Sequence, residues 1–216
     1  MFRSKNMKKI AIYGAGGFGR EVANLIDDIN SHERRWEIVG FFDDEKSGET
    51  VNGHKVLGGI IDLNNTKDEM DLVVAVGWPG PKKKIIENIT NPHIRFATLI
   101  HPSVIMSQCV EVGAGSIICA GSILTVDIRI GRHVIVNLNC TVGHDAVIGD
   151  YCSLMPGVDI AGQTQVGAGS FMGTGALIIN QKKIGANSIV GAGAVVIADI
   201  PANCTAVGNP ARIVNK

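Results

Sequence analysis

Two periodicities divide this chain. Up to about Ala97, short apolar runs alternate with segments whose apolar residues recur at helical spacing. From Ile100 a different rule takes over, with an aliphatic residue or Met at every sixth position. The series runs Ile100, Met106, Val112, Ile118, Leu124, Ile130, Val136, Val142, Ile148, Leu154, Ile160, Val166, Met172, Ile178, Ile184, Val190 and Val196, and its register never slips. Only 45% of the chain is hydrophobic, so an unbroken series of this length marks an internal repeat. The position after each aliphatic is often Gly (Gly113, Gly131, Gly143, Gly149). The fourth position after it is mostly small or β-branched, as at Ser116, Ser122, Cys140, Ala146 and Thr164.

A period of six has a physical reading. Extended segments alternate their side chains between two faces, so a bulky residue and the small one four places later share a narrow interior. Three six-residue sides close a triangular coil, and stacked coils bury a continuous aliphatic column. The repeated glycines are expected to supply backbone freedom at the corners. Lys182 breaks the pattern at an inward position. Either a local bulge over 180–183 turns it out, or its stem runs along the coil while the amine reaches solvent.

The first part reads as a parallel α/β domain. Strands are predicted over Lys8–Tyr13, Trp36–Phe42, 71–76 and 95–97, and helices over 18–30 and 82–89, with a short strand or hairpin arm over 51–57. Helical periodicity stops near 98–102. We therefore expect a Rossmann-like nucleotide-binding domain over 1–98 and an all-β hexapeptide-repeat helix over 99–216.

Composition narrows the function. Twenty basic and twenty acidic residues cancel, which gives no nucleic-acid footprint, and the run Lys82-Lys83-Lys84 is expected to be a solvated helix face. No apolar stretch is long enough to insert in a membrane, and the first residues lack the apolar core of a secretory signal. The five cysteines form no metal-type pair, and several fall at inward positions, as expected of reduced core residues in a cytoplasmic protein.

Candidate chemistry sits in two places. Gly14-x-Gly16-x-x-Gly19 follows a strand and opens a helix, the context in which such a turn lets a backbone approach a pyrophosphate at a helix N-terminus. Asp43 and Asp44, at the end of the next strand, are placed to meet a ribose or base edge. A dinucleotide such as NAD, a nucleotide sugar, or an unliganded turn all satisfy this pattern. Among six histidines, His32, His54 and His93 read as surface residues, His101 as structural and His133 as a solvated corner residue. His144 differs. It is followed by Asp145, which can orient its imidazole for general-base work, and Asn137 and Asn139 are candidate donors to the same surface.

Taken together, Tyr13-Gly14-Ala15-Gly16-Gly17-Phe18-Gly19-Arg20-Glu21, Gly40-Phe41-Phe42-Asp43-Asp44, Ile100-His101-Pro102-Ser103, Val142-Gly143-His144-Asp145, Ile148-Gly149-Asp150 and Gly208-Asn209-Pro210-Ala211-Arg212 resemble the bacterial PglD/NeuD-type sugar acetyltransferases, over 8–212. The resemblance implies a left-handed parallel β-helix and a homotrimer with active sites between neighbouring β-helices. It also implies acetyl-CoA as co-substrate and no metal. It places a UDP-linked amino sugar at Gly14, Gly16, Gly17 and Phe18 (diphosphate) and at Asp43 and Asp44 (nucleoside). Gly77 and the unusual Trp78 after it would stand near the sugar.

In the repeat domain the resemblance assigns the general base to His144 with Asp145, and a thioester-facing N–H to Gly162. The CoA arm falls to the corners at Gly173–Gly175 and Gly191–Gly193, which carry Thr174 and Ala192. Ser153 stands where some relatives carry a second His at the acetyl donor. The implied reaction is direct acetyl transfer to a UDP-4-amino-4,6-dideoxysugar. O-acetylation of sialic acid or another sugar is the near alternative. From other classes, an NAD(H)-binding oxidoreductase would use the glycine turn. A zinc hydratase would need His101, His133 and His144 to converge.

Overall fold

The computed structural model describes residues 7–215, and the segment read for a secretory signal lies largely outside them. The chain divides into two units. One runs through Gly77 and includes Pro81–Pro102; the other takes in Trp78–Gly80 and everything from Ser103 onward.

In the first unit, β1 (Lys8–Tyr13) is central to a four-stranded parallel sheet. Its neighbours are β2 (Trp36–Phe42) on one side and β5 (Met70–Val74) then β6 (Ile94–Phe96) on the other. Because β1 is covered on both faces, its apolar run is continuous: Ile10, Ala11 and Ile12 are all fully buried. Helix α1 (Gly17–His32) buries Val22, Leu25, Ile26 and Ile29, a spacing of three, four and seven that keeps one stripe against the sheet. Between β2 and β5 lie an antiparallel hairpin, β3 (Thr50–Val51) with β4 (His54–Lys55), and a short helix, α2 (Ile60–Asn65). The sequence pattern does not reveal α2; the signal was Asp62, whose side chain accepts the Gly59 N–H at 2.9 Å.

Helix α3 (Pro79–Glu87) starts earlier than expected, with proline at its first position, where no N–H is needed. It also corrects the reading of the lysine run. Lys83 is exposed, but Lys82 shares the buried stripe of Pro79 and Ile86 and is only 1% exposed.

The second unit is a parallel β-solenoid of about six turns. Two- and three-residue strands stack into three sheets. Sheet one includes Ile117–Ile118, Ile135–Val136, Ser153–Leu154, Phe171–Met172 and Ile189–Val190. Sheet two includes Ile105–Met106, Ile123–Leu124, Thr141–Val142, Asp159–Ile160, Leu177–Ile178 and Val195–Val196. Sheet three includes Ile128–Ile130, Val147–Ile148, Gln165–Val166 and Lys183–Ile184. Each residue pairs with its counterpart one coil later, as Thr141 does with Asp159. The last residue of each of these strands is the hexad aliphatic. From Ile118 to Val196 these side chains are buried, while Met106 in the first coil is 36% exposed. The small residues four positions on are buried too. Where they are serines, the hydroxyl donates to a neighbouring carbonyl, as Ser122 Oγ does to Asn137 O at 2.9 Å and Ser170 Oγ to Gly185 O at 2.9 Å. At Lys182 there is no bulge: Gln165 pairs with Lys183 and Val166 with Ile184 in unbroken register.

Two expectations about the corners are corrected. The repeated glycines after the aliphatics do not adopt positive φ; they are required by close approach. A Cβ on Gly143 would lie 2.6 Å from the Gly162 backbone nitrogen of the next coil. The left-handed corner positions fall two residues later, at His133 (φ 56°), Asp145 (58°), Tyr151 (62°) and Gln163 (59°). His133 is not solvated either. It is 7% exposed and stacks on Tyr151, one coil on, with ring centroids 5.5 Å apart.

Candidate active site

His144 stands on the corner between Thr141–Val142 of sheet two and Val147–Ile148 of sheet three. Its position follows from the hexad. Val142 points into the column, Gly143 lets the coils approach, and the next side chain is free to project outward. Asp145, in the left-handed conformation, turns its carboxylate back so that Oδ2 lies 2.7 Å from His144 Nδ1. This fixes the ring and leaves Nε2 directed away from the acid. Nε2 lies over Gly162, where an added Cβ would be 2.5 Å from it. Gly162 is itself buried beneath the ring. Its N–H donates no hydrogen bond to the ladder among the described residues, whereas its carbonyl accepts from Gln181 N at 3.0 Å. A fixed imidazole beside an uncommitted amide is an arrangement that can take a proton and hold an oxyanion.

The glycine turn is the other chemical element. Gly14 has φ 102° and packs against Ala75 O, and a Cβ on Gly19 would overlap the Gly14 carbonyl, so the strand can pass into α1 only with glycine at both points. Gly16 and Gly17 are exposed and Phe18 is half-buried at the helix start. The two glycines, but not Phe18, border a cleft of about 370 Å³ that Ala15, Arg20, Lys46 and Asn52 help to line. Sequence reasoning missed Arg20 and Lys46. Lys46 Nζ sits 3.3 Å from Ala15 O, and the two side chains give the cleft the positive charge that a diphosphate needs.

Asp43 and Asp44 are tied into the protein. Asp43 accepts from Ala15 N (2.8 Å) and Glu45 N (3.0 Å); Asp44 accepts from Tyr13 Oη (2.7 Å) and Ile60 N (2.8 Å). Burial, and then the Asp44 hydrogen bond, push the Tyr13 phenol pKa up. The acid pair thus fastens the turn, and a nucleoside would meet only its remaining lone pairs.

Not every expected residue comes to His144. Thr174, Gly191 and Ala192 belong to the corner between sheets one and two, on the opposite edge of sheet two within one chain. Thr174 and Ala192 are exposed there. Asn137 and Asn139 lie on that other corner too, and Asn137 is 6% exposed with its side chain bonded to Leu138 N at 2.7 Å, so within one chain neither donates to the His144 surface. Ser153 is on sheet one, with no exposed surface. Gly77 is half-buried. Trp78 is 54% exposed and stacks on Phe171 at 4.2 Å. Cys140 and Cys152 are fully buried, and burial pushes the Cys140 thiol up to about 11. Among the described residues, no three His, Cys, Asp or Glu side chains cluster as metal ligands. No helix there is long and apolar enough to cross a membrane.

Comparison with known proteins supplies the identity. Residues 9–89 match the family described as the PglD N-terminal domain. GDP-perosamine N-acetyltransferase from Escherichia coli O157:H7 is 31% identical over 213 residues, 95% of this chain and 96% of that protein. The chain belongs to the PglD/NeuD-type acetyltransferases. Among solved structures, the acetyltransferase domain of PglB from Neisseria gonorrhoeae FA1090 in complex with acetyl coenzyme A superposes with a TM-score of 0.89. It is 35% identical and covers 97% of this chain and 100% of its own. A histidine-to-asparagine variant of perosamine N-acetyltransferase from Caulobacter crescentus, in complex with CoA and GDP-perosamine, superposes at 0.86 with 30% identity, covering 96% and 97%. Members of this family are left-handed β-helices, and the solenoid described above is one of them. Family membership removes the NAD(H)-dependent oxidoreductase and the zinc hydratase.

Proposed function

We propose that the chain is an acetyl-CoA-dependent sugar N-acetyltransferase, acting on the amine of a nucleoside diphosphate-linked 4-amino-4,6-dideoxysugar with His144 as general base. The observation that carries this is the His144–Asp145 pair, 2.7 Å apart, set over Gly162. As the amine attacks, the C–N bond forms and the thioester carbonyl electrons move to oxygen, where the Gly162 N–H meets them. Nε2 of His144 takes the amine proton. The tetrahedral adduct then collapses, the C–S bond breaks, and the departing CoA sulfur recovers that proton from His144. A cysteine route is disfavoured because the buried Cys140 thiol, held up to about 11, supplies negligible thiolate at neutral pH.

The cleft at Gly16 and Gly17, in the turn that also carries Gly14 and Phe18, holds the diphosphate with Arg20 and Lys46 in this reading. UDP is the nucleotide implied by the resemblance. A second reading, GDP, is favoured by the full-length similarity to GDP-perosamine N-acetyltransferase. The protein acts in the cytoplasm as a homotrimer. Support for the trimer comes from the exposed apolar residues Ile105 and Ile123 on sheet two, and from the separation of Thr174 and Ala192 from His144 in one chain. A neighbouring copy then brings its CoA corner to this base.

The test is acetyl-CoA consumption across UDP- and GDP-linked 4-amino-4,6-dideoxysugars and free sialic acid. Turnover of an amino sugar with transfer to nitrogen is expected. Transfer only to sialic acid hydroxyls would replace the reading with O-acetylation.

A further inference from the structure

We propose that Asp159 binds the amino group of the acceptor and so selects amines over hydroxyls. This rests on the reading of the chain as a sugar N-acetyltransferase, and names a residue of that site outside the base and the cofactor corners.

Sheet two presents a mostly apolar outer face. Its outward residues, in coil order, are Ile105, Ile123, Thr141, Asp159, Leu177 and Val195, aligned by the coil-to-coil pairing. Four are apolar, and Ile105 and Ile123 are 66% and 38% exposed. The two polar positions are adjacent and bonded: Thr141 Oγ1 donates to Asp159 Oδ1 at 2.6 Å. An O–H to carboxylate bond this short is charge-assisted and holds the carboxylate in one orientation. The second oxygen, Oδ2, has no partner within the chain among the described residues.

The pair stands at the level of the base. Thr141 precedes His144 by three residues, and Asp159 precedes Gly162 by three. A groove of about 390 Å³ runs over this part of the sheet, lined by Thr141, Asp159, Ala161, Leu177, Ile179 and Asn180. It therefore reaches the residue next to Gly162. Sheet two also separates the two relevant corners, with His144 on one edge and Thr174 on the other. A half-buried carboxylate in a groove lined mostly by apolar residues, with one oxygen fixed and one open, is complementary to a group that carries positive charge and several N–H donors. A sugar amine, which arrives largely protonated at neutral pH and releases one proton to solvent before its lone pair attacks, is such a group. A hydroxyl brings no charge and a single donor.

The experiment uses the intact protein with a nucleoside diphosphate-linked 4-amino-4,6-dideoxysugar and with its 4-hydroxy counterpart. In Asp159→Asn the KM for the amine acceptor should rise about 10- to 100-fold. kcat should stay within about threefold and the KM for acetyl-CoA should not change, so the preference for amine over hydroxyl narrows. Thr141→Ser should behave as the parent, and Thr141→Val should show part of the Asp159→Asn effect. An unchanged amine KM, or equal losses on both acceptors, would overturn the assignment. Should Asp159→Asn not fold, Thr141→Val against Thr141→Ser decides by the same criterion. A parent enzyme that acetylates no amino sugar overturns the functional reading and this assignment with it. An active parent with an indifferent Asp159 overturns only the latter.

Discussion

The imidazole of His144 lies over the α-carbon of Gly162, so near that a methyl group there would sit 2.5 Å from Nε2. The neighbour it would strike is the end of a side chain, which can rotate, and Gly162 is not at positive φ. Gly162→Ala should therefore fold with a near-parental melting temperature but lose about 10- to 100-fold in kcat, because a base displaced by about 1 Å loses alignment. Parallel thermal melts and acetyl-CoA assays check this.

Gly143→Ala makes the opposite case. Its Cβ would fall 2.6 Å from the backbone nitrogen of Gly162, which has no freedom to rotate away. Overpacking of this kind costs about 1–3 kcal/mol. A denaturant titration should show a lower midpoint, and a midpoint equal to the parent's would refute the close-approach explanation.

His144→Ala should reduce turnover by about 10²–10⁴-fold, the usual contribution of a general base. Acetyl-CoA binding measured by calorimetry should be little altered, since the corners proposed for CoA, at Thr174 and Ala192, are not the corner that carries His144. Near-parental turnover would remove His144 from the mechanism.

Lys46→Ala and Arg20→Ala address the glycine-turn cleft, which both side chains border. Loss of a charged hydrogen bond to a phosphate is worth about 1.5–3 kcal/mol, so each should weaken nucleotide-sugar binding by about 10-fold or more. Asp43→Asn keeps the shape but weakens the clasp on Ala15 N, and a smaller loss is expected. Equal affinity in the Lys46 variant would move the diphosphate away from this cleft.

Alkaline pH should destabilise the fold. Burial raises the Cys140 thiol from an ordinary 9.0 to about 11, and Tyr13 is raised as well. A group whose folded pKa is raised contributes stability that is fully present below its unfolded value and is lost as pH rises through the folded one. The melting temperature should thus fall between about pH 9 and pH 11. In the same samples at pH 8, a thiol reagent should label Cys109, which is exposed, well ahead of the four buried cysteines. Rapid modification of Cys140 in the folded protein would contradict its burial.

Much of the fold was legible because it is written in short-range repetition. The six-residue period of aliphatics forces a two-residue strand at each side of a coil, and every hexad residue from Ile118 to Val196 is buried as that rule requires. β1 and β2 were read to the residue; β1 shows the reason, since a parallel strand with neighbours on both sides is apolar where it is buried, from Ile10 to Tyr13. Local pattern failed where burial depends on what packs from a distance. Lys82 looks solvated beside Lys83 and Lys84, yet the stripe it shares with Pro79 and Ile86 is covered. His133 looks like a wet corner until Tyr151 is placed upon it one coil later.

By itself, the sequence determined the α/β unit, the solenoid and its register, the glycine turn, and His144 with its neighbouring acid. These depend on residues close in sequence or on a strict period. Only the tertiary structure showed that Gly162 lies beneath the imidazole and that Asp159 is clasped by Thr141. It also showed that Arg20 and Lys46 border the turn, and that Asp43 and Asp44 are spent fastening it. The physical reason is the coil itself. Stacking brings residues eighteen apart to within hydrogen-bonding reach, so the partners of a corner side chain lie one turn away along the axis, where no local pattern points.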